Sequence, residues 1–289
     1  MIFSLIMDHL NFFKLKEQPF SNAVDTRFYY NSSQHAEAII RTKYAVDTMK
    51  GLAVVIGDIG TGKTTLARRL LDELDESKYE AALLVVLHSS VTADWLMKKI
   101  AIQIGVKDFG GTKIELLGQI YERLVEIQER GLKAVVIIDE VQMFQSQEIM
   151  EEFRGLLNME GHGGKLITFV FFGLPEMDNV LSLDEPLKQR VAVKYRLKGF
   201  EENITQEYIQ HRLKVAGCDK NIFSSDTIRS VHLYSKGIPR LINTICDNAI
   251  LEGFLQKKEI IDNEIIESVA ITLGLKLEEE KRPKVRREF

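Results

Sequence analysis

Gly57-Asp58-Ile59-Gly60-Thr61-Gly62-Lys63-Thr64-Thr65 fits the pattern G-x-x-x-x-G-K-[ST] and follows directly on the unbroken apolar run 52–56. Such a run reads as a strand of a parallel sheet buried on both faces, and the glycine-rich turn behind it predicts a strand-to-helix junction with helix over 63–74. At a junction of this kind glycines let the backbone curl until successive N–H groups and the positive end of the helix face one point, which suits phosphate. The stretch Gly57, Asp58, Gly60, Thr61, Gly62, Lys63, Thr64 and Thr65 is therefore expected to hold a nucleoside triphosphate. Lys63 is expected to reach its β- and γ-phosphates, and the Thr64 hydroxyl to ligate Mg²⁺.

Outward from this stretch, apolar runs at 81–87, 134–138 and 166–172 predict three more strands, and 191–197 reads as a fifth. Between them, helices are predicted at 93–104, capped by Thr92, and at 147–157. A further helix opens on the capping-box pair Thr112 and Glu115, carries Ile114, Leu117, Tyr121 and Leu124 at helical spacing, and stops at Gly131. Strands alternating with helices imply right-handed crossovers and an α/β fold: a parallel sheet flanked by helices, with ligands at the carboxyl ends of its strands. Near Phe200 the pattern changes, and helices at 205–216, 226–235, 239–256 and 263–273 predict a small all-helical domain. The expected division is an N-terminal arm (1–30), the α/β core (31–199), the helical domain (200–275) and a charged tail (276–289) that reads most simply as disordered.

Composition narrows the classes. With 289 residues, 45% of them apolar, the chain can bury a full core. A net charge of -4 gives no general basic surface, so any nucleic-acid contact would have to come from a local patch. Cys218 and Cys246 are too few and too far apart for a disulfide framework or a zinc site, which fits a reducing compartment. The opening seven residues are apolar but lack a basic n-region and a cleavage site, so no signal peptide is read. The longest internal apolar run, 166–174, is about half what a membrane helix needs, so no membrane span and a cytoplasmic location are expected.

Val135-Val136-Ile137-Ile138-Asp139-Glu140 supplies what the phosphate loop lacks. A carboxylate at a strand tip, Asp139, is expected to hold Mg²⁺ through water, and Glu140, projecting differently, to orient and deprotonate the attacking water. The predicted reaction is hydrolysis of the triphosphate rather than transfer to a bound acceptor.

Several stretches together are similar to the AAA+ ATPases of the ExeA/GspA type, the group that includes the MshM pilus-biogenesis proteins. They are Phe12-Phe13-Lys14-Leu15-Lys16-Glu17-Gln18-Pro19-Phe20-Ser21, Asp25-Thr26-Arg27-Phe28-Tyr29-Tyr30, Asp139-Glu140-Val141-Gln142, Gly173-Leu174-Pro175-Glu176, Gln189-Arg190 and Gly237-Ile238-Pro239-Arg240-Leu241-Ile242-Asn243. The resemblance covers nearly the whole chain. It implies a P-loop AAA+ core with a C-terminal helical lid, ATP and Mg²⁺ as cofactors, and assembly with copies of itself into a ring or other homo-oligomer.

Roles carried over from that resemblance follow the matching positions. Arg190 resembles the arginine offered to a neighbour's γ-phosphate; the competing reading pairs it with a local carboxylate, and Arg196 stands nearby. Arg240 resembles the arginine that couples nucleotide to lid position, against the reading of a surface cation at a helix start formed by Pro239. His88 occupies the place where relatives carry Asn to hold the catalytic glutamate inactive, against a structural role. Phe20 and Tyr30 either wall the adenine or pack in a core. Leu174 departs from the family, which presents a polar residue there to position water, so a weak basal rate raised by oligomerisation or a partner is expected.

For function, the resemblance implies an ATPase coupling nucleotide state to assembly of a type II secretion or type IV pilus machine. Its partner would be an inner-membrane component. The basic tail Lys281, Arg282, Lys284, Arg286 and Arg287 either sits against anionic lipid and places the chain peripherally at that membrane or, offset by Glu278 to Glu280, is a solvated end. Two other readings stand: an ATP-dependent DNA-binding regulator of transposition of the Mu-like and Tn7-like kind, and a nucleotide-gated scaffold with little turnover.

Overall fold

A computed structural model describes residues 9–23, 25–107 and 111–277. From residue 278 on, the charged tail lies outside the described residues. The chain divides into two compact units, one of residues 31–198 and one that joins the first thirty residues to those from Gly199 onward.

The first unit runs α1 (Ser33–Asp47), β1 (Leu52–Gly57), α2 (Lys63–Asp72), β2 (Tyr79–Val85), α3 (Ala93–Gln103), α4 (Lys113–Glu129) and β3 (Lys133–Asp139). After these come α5 (Gln147–Leu157), the two-residue antiparallel pair β4 (Glu160–Gly161) and β5 (Gly164–Lys165), β6 (Ile167–Gly173), α6 (Met177–Leu181), α7 (Glu185–Lys188) and β7 (Val191–Leu197). Five strands form a parallel sheet in the order β2-β3-β6-β1-β7, the predicted class of fold.

Alternate side chains of β1 leave the sheet on opposite faces, and both faces are covered. Leu52, Val54 and Ile56 join a cluster with Leu96, Ile120 and Phe153 from α3, α4 and α5, while Ala53 and Val55 join one with Val46, Leu66 and Leu70 from α1 and α2. This is why β1 is apolar without interruption; each large aliphatic fully buried here contributes ~1.5–3 kcal/mol. Phe153 anchors the α3–α5 side, its ring 5.6 Å from Phe144, 5.1 Å from Phe169 and 4.8 Å from Phe171.

Register places the functional ends together. Ile56 pairs with Gly173, Ile138 with Phe171, and Val85 with Asp139, so the carboxyl ends of β1, β3 and β6 finish side by side.

Two local readings differ from expectation. The capping box on α4 is present, with Thr112 Oγ1 accepting from Glu115 N–H and the Glu115 carboxylate accepting from Thr112 N–H. However, the buried stripe is Leu116, Ile120, Leu124 and Ile127, whereas Ile114 is 83% exposed and Tyr121 43%. The helix is apolar along two neighbouring stripes, and sequence spacing does not say which one faces the sheet. Helix α1 was not anticipated; Ser32 caps it, and Ala38, Ile39, Thr42, Ala45 and Val46 are its buried side.

In the second unit, α8 (Glu202–Val215), α9 (Ser225–Ser235), α10 (Pro239–Leu255) and α11 (Asn263–Thr272) enclose an apolar core that includes Ile209, Val231, Ile245 and Ile266. The N-terminal segment is part of this core, contributing Phe13, Leu15, Phe20 and Phe28. Buried Arg212 ties the segment down: Nε donates to Pro19 O at 2.5 Å, one terminal nitrogen to Ser21 O at 2.9 Å, and the other to Tyr208 Oη at 2.8 Å. Phe20 is 1% exposed with its ring 6.1 Å from Phe223, and Tyr30 packs on Phe200 and Tyr208 with its hydroxyl donating 2.5 Å to Glu207. Of the two readings of these aromatics, their surroundings match core packing. Among the described residues no helix is long and apolar enough to cross a membrane.

Candidate functional site

The site is assembled at the carboxyl ends of β1, β3 and β6. Beyond β1 the chain turns through Asp58 to Gly62, with Gly60 at φ +83° and Gly62 at φ +97°. Gly62 is the N-cap of α2 without any side-chain cap, so the first amides of that helix keep their hydrogen-bonding capacity for an anion. Only glycine fits there on two counts: the left-handed backbone, and a Cβ that would stand 3.0 Å from His35 Nε2.

Lys63 is 6% exposed, and its Nζ donates to the carbonyls of Gly57 at 2.8 Å and Asp58 at 2.9 Å, which places the ammonium inside the curl of the loop. Thr61 closes the turn by donating from Oγ1 to Asp58 O at 2.8 Å. Thr65 is the third residue of α2 and is half-buried.

Opposite the loop stands the end of β3. Asp139 is fully buried, and Thr64 Oγ1 donates to its Oδ2 at 2.6 Å. Burial pushes the Asp139 carboxyl above its ordinary range, while the Thr64 hydrogen bond works in the other direction. Glu140, next in the chain, has φ +63°, a conformation costly for a residue with a side chain, and its N–H donates to Asp139 Oδ1 at 3.0 Å. The Glu140 Oε2 accepts from Gln142 Nε2.

Chemically this is a cationic cradle facing two carboxylates of different surroundings. Among the described residues no three His, Cys, Asp or Glu side chains gather into a metal cage. Thr64 and Asp139 offer hard oxygens from one side only, a donor set that fits Mg²⁺ carried in with phosphate oxygens and water.

The remaining sequence candidates fall in different places. Arg190 bonds Pro186 O at 2.9 Å and Asn158 Oδ1 at 2.8 Å, both neutral acceptors, and among the described residues no carboxylate pairs with it. Arg196 instead lies 3.5 Å from Asp178. Arg240 is exposed on the first turn of α10, in the other unit. His88 is exposed and its Nδ1 meets Ser90 Oγ at 3.3 Å; the Glu140 carboxylate takes Gln142, and no bond joins it to His88. Leu174 contributes its backbone, donating N–H to Gln142 Oε1 at 2.9 Å.

His35 belongs to the site and was missed. It is 4% exposed, with Nε2 3.1 Å from Thr61 O and Nδ1 2.6 Å from Ser32 Oγ. Nε2–H donates to the carbonyl, so Nδ1 accepts from the serine hydroxyl: a neutral ring, consistent with burial pushing its pKa below the ordinary value. The signal available in sequence was the Ser32-x-x-His35 start of α1, which says nothing of Thr61. Gln142 was visible only as the last letter of a motif.

Residues 46–181 match the model of an AAA domain. The chain is 34% identical to the General secretion pathway protein A of Aeromonas hydrophila over 250 residues, which is 85% of this chain and 45% of that protein, so it spans under half of that relative's length. Among solved structures it resembles Cdc6p of Pyrobaculum aerophilum with TM-score 0.65 and 19% identity, covering 88% of this chain and 70% of that one. It resembles the Aeropyrum pernix ORC2 protein with TM-score 0.61 and 13% identity, covering 89% and 71%. The Thermotoga maritima RuvB branch migration motor gives 0.56 and 15% identity, covering 89% and 74%. At these identities the structural likenesses speak for the fold alone.

Proposed function

The chain is an AAA-domain protein with the P-loop ATPase fold, related to General secretion pathway protein A, and from that premise we propose that it binds ATP with Mg²⁺ and hydrolyses it to drive assembly of a secretion or type IV pilus machine. The observation that carries the catalytic part is the Thr64–Asp139 hydrogen bond, which brings the phosphate loop and the acidic strand end into one site.

In this reading the amides of the loop and the N-terminus of α2 bind the β-phosphate, and Lys63 exchanges its carbonyl partners for β- and γ-phosphate oxygens. Thr64 and Asp139 hold Mg²⁺, whose part when bound is to neutralise phosphate charge. Glu140 accepts a proton from water as its oxygen bonds to the γ-phosphorus and the bond to the ADP oxygen breaks, leaving ADP and phosphate. Arg190, a cation bonded to neutral oxygens of Pro186 and Asn158, serves the γ-phosphate of a neighbouring copy in a homo-oligomer. The helical unit acts as the lid, with Arg240 reporting nucleotide to it. An inner-membrane partner and a place at that membrane belong to the same proposal and rest on the ExeA/GspA resemblance of the sequence.

The test is phosphate release measured against protein concentration. Turnover per chain should rise with concentration in the native protein and stay low for Arg190→Ala, and an equimolar mixture of Arg190→Ala and Glu140→Gln should recover part of the rate. High turnover independent of concentration and of Arg190 would remove the oligomer from the account.

A further inference from the structure

Gln142 sits on the 3₁₀ turn Val141–Met143, 8% exposed, with its amide engaged at both ends. Nε2 donates to Glu140 Oε2, and Oε1 accepts from Leu174 N–H at 2.9 Å. The bridged groups dictate what can stand between them: a carboxylate only accepts and a backbone N–H only donates, so the bridge must offer a donor at one end and an acceptor at the other. Glutamine does this. Glutamate would set a second carboxylate against Glu140, and methionine would bond neither group.

Leu174 follows the last residue of β6, and β6 lies between β3 and β1, the strand that leads into the phosphate loop. The amide at 174 therefore lies at the carboxyl end of the sheet, next to the strand that leads into the loop. Gly173 is matched to the same bridge. A Cβ there would stand 2.8 Å from Gln142 Oε1 and 3.2 Å from both Met177 Cε and Sδ. Gly173 is not among the positive-φ glycines, so the restriction is the space taken by Gln142 and Met177 and not the backbone.

We infer that Gln142 is a positioning residue that fixes the Glu140 carboxylate to the tip of β6. Glu140 is only half-buried, and its strained backbone alone does not choose a rotamer; the Gln142 amide does, and any shift of the 174 amide is passed to the carboxylate. The inference rests on the reading of Glu140 as general base.

The experiment compares Gln142→Glu, Gln142→Met, Gly173→Ala and Glu140→Gln in the full chain, measuring turnover, labelled-ATP affinity and hydrogen exchange at the Leu174 amide. Gln142→Met should lower turnover by about tenfold or more, within the ~10²–10⁴ that a positioned base contributes, at unchanged ATP affinity. It should also release the Leu174 amide to exchange. Gln142→Glu keeps an acceptor for that amide, so protection should persist while turnover is still lost. Gly173→Ala should lower turnover in the native background and add little on top of Gln142→Met. Turnover at the native rate in both Gln142 variants while Glu140→Gln is inactive would overturn the inference, as would parallel loss of ATP affinity and turnover. Native turnover in Glu140→Gln would mean that the reading of the base itself has failed.

Discussion

Thr64 Oγ1 and Asp139 Oδ2 are 2.6 Å apart although 75 positions separate them in the chain. One is the first polar hydroxyl of the helix after the phosphate loop, and the other the last residue of a strand two places away in the sheet. The sheet order puts β6 between β1 and β3, so this bond ties the first turn of α2 to a strand end on the far side of β6.

Asp139→Asn separates stability from chemistry. Burial raises the Asp139 carboxyl, so by linkage its contribution to stability is present below the ordinary carboxylate range and is lost as pH rises through its folded value. The amide variant escapes that loss. Its Tm should exceed the native value by an amount that grows as pH rises above about 4, with ~2–4 °C for each kcal/mol regained, while magnesium-dependent turnover disappears. Melting curves across that range check the sign; a gap that shrinks with rising pH would contradict it.

His35→Gln addresses the wall of the loop. Burial lowers the histidine pKa, so its stabilising part is present above the ordinary value and is lost as pH falls through the folded value. Losing the bonds to Thr61 and Ser32 should cost about 1–3 kcal/mol at pH 8. The difference from the native protein should narrow toward about pH 5, and native ATP affinity should fall over the same interval. Melting and labelled-ATP titration at matched pH test both parts.

The loop, its strand and helix, the Asp139-Glu140 pair and the alternation of strands with helices were all legible because each is written in contiguous residues. What escaped is non-local or ambiguous. His35 acts on Thr61, 26 positions away, and Gln142 acts on Leu174, 32 positions away. Neither residue has a pattern of its own. Apolar periodicity on α4 offered two stripes and could not say which one the sheet would take. The N-terminal segment read as an arm because its apolar residues are irregularly spaced; its place in the helical core depends on Arg212, 193 positions from Pro19.

Arg212→Ala tests that last tie. Three donor contacts vanish, two of them to backbone carbonyls of the N-terminal segment, and a loss of ~3 kcal/mol is expected. Limited proteolysis should cut within residues 9–30 well before the rest of the chain. An unchanged digestion pattern would show that the apolar contacts of Phe13, Phe20 and Phe28 suffice.

The most direct measurement is equilibrium retention of labelled ATP, with magnesium and with a chelator, by the native protein, Lys63→Ala and Glu140→Gln. The geometry around Lys63, Thr64 and Asp139 predicts magnesium-dependent binding by the native chain, none by Lys63→Ala, and accumulation of uncleaved ATP on Glu140→Gln. Native protein that retains no ATP at any concentration, or binds it equally well after Lys63→Ala, would contradict the account.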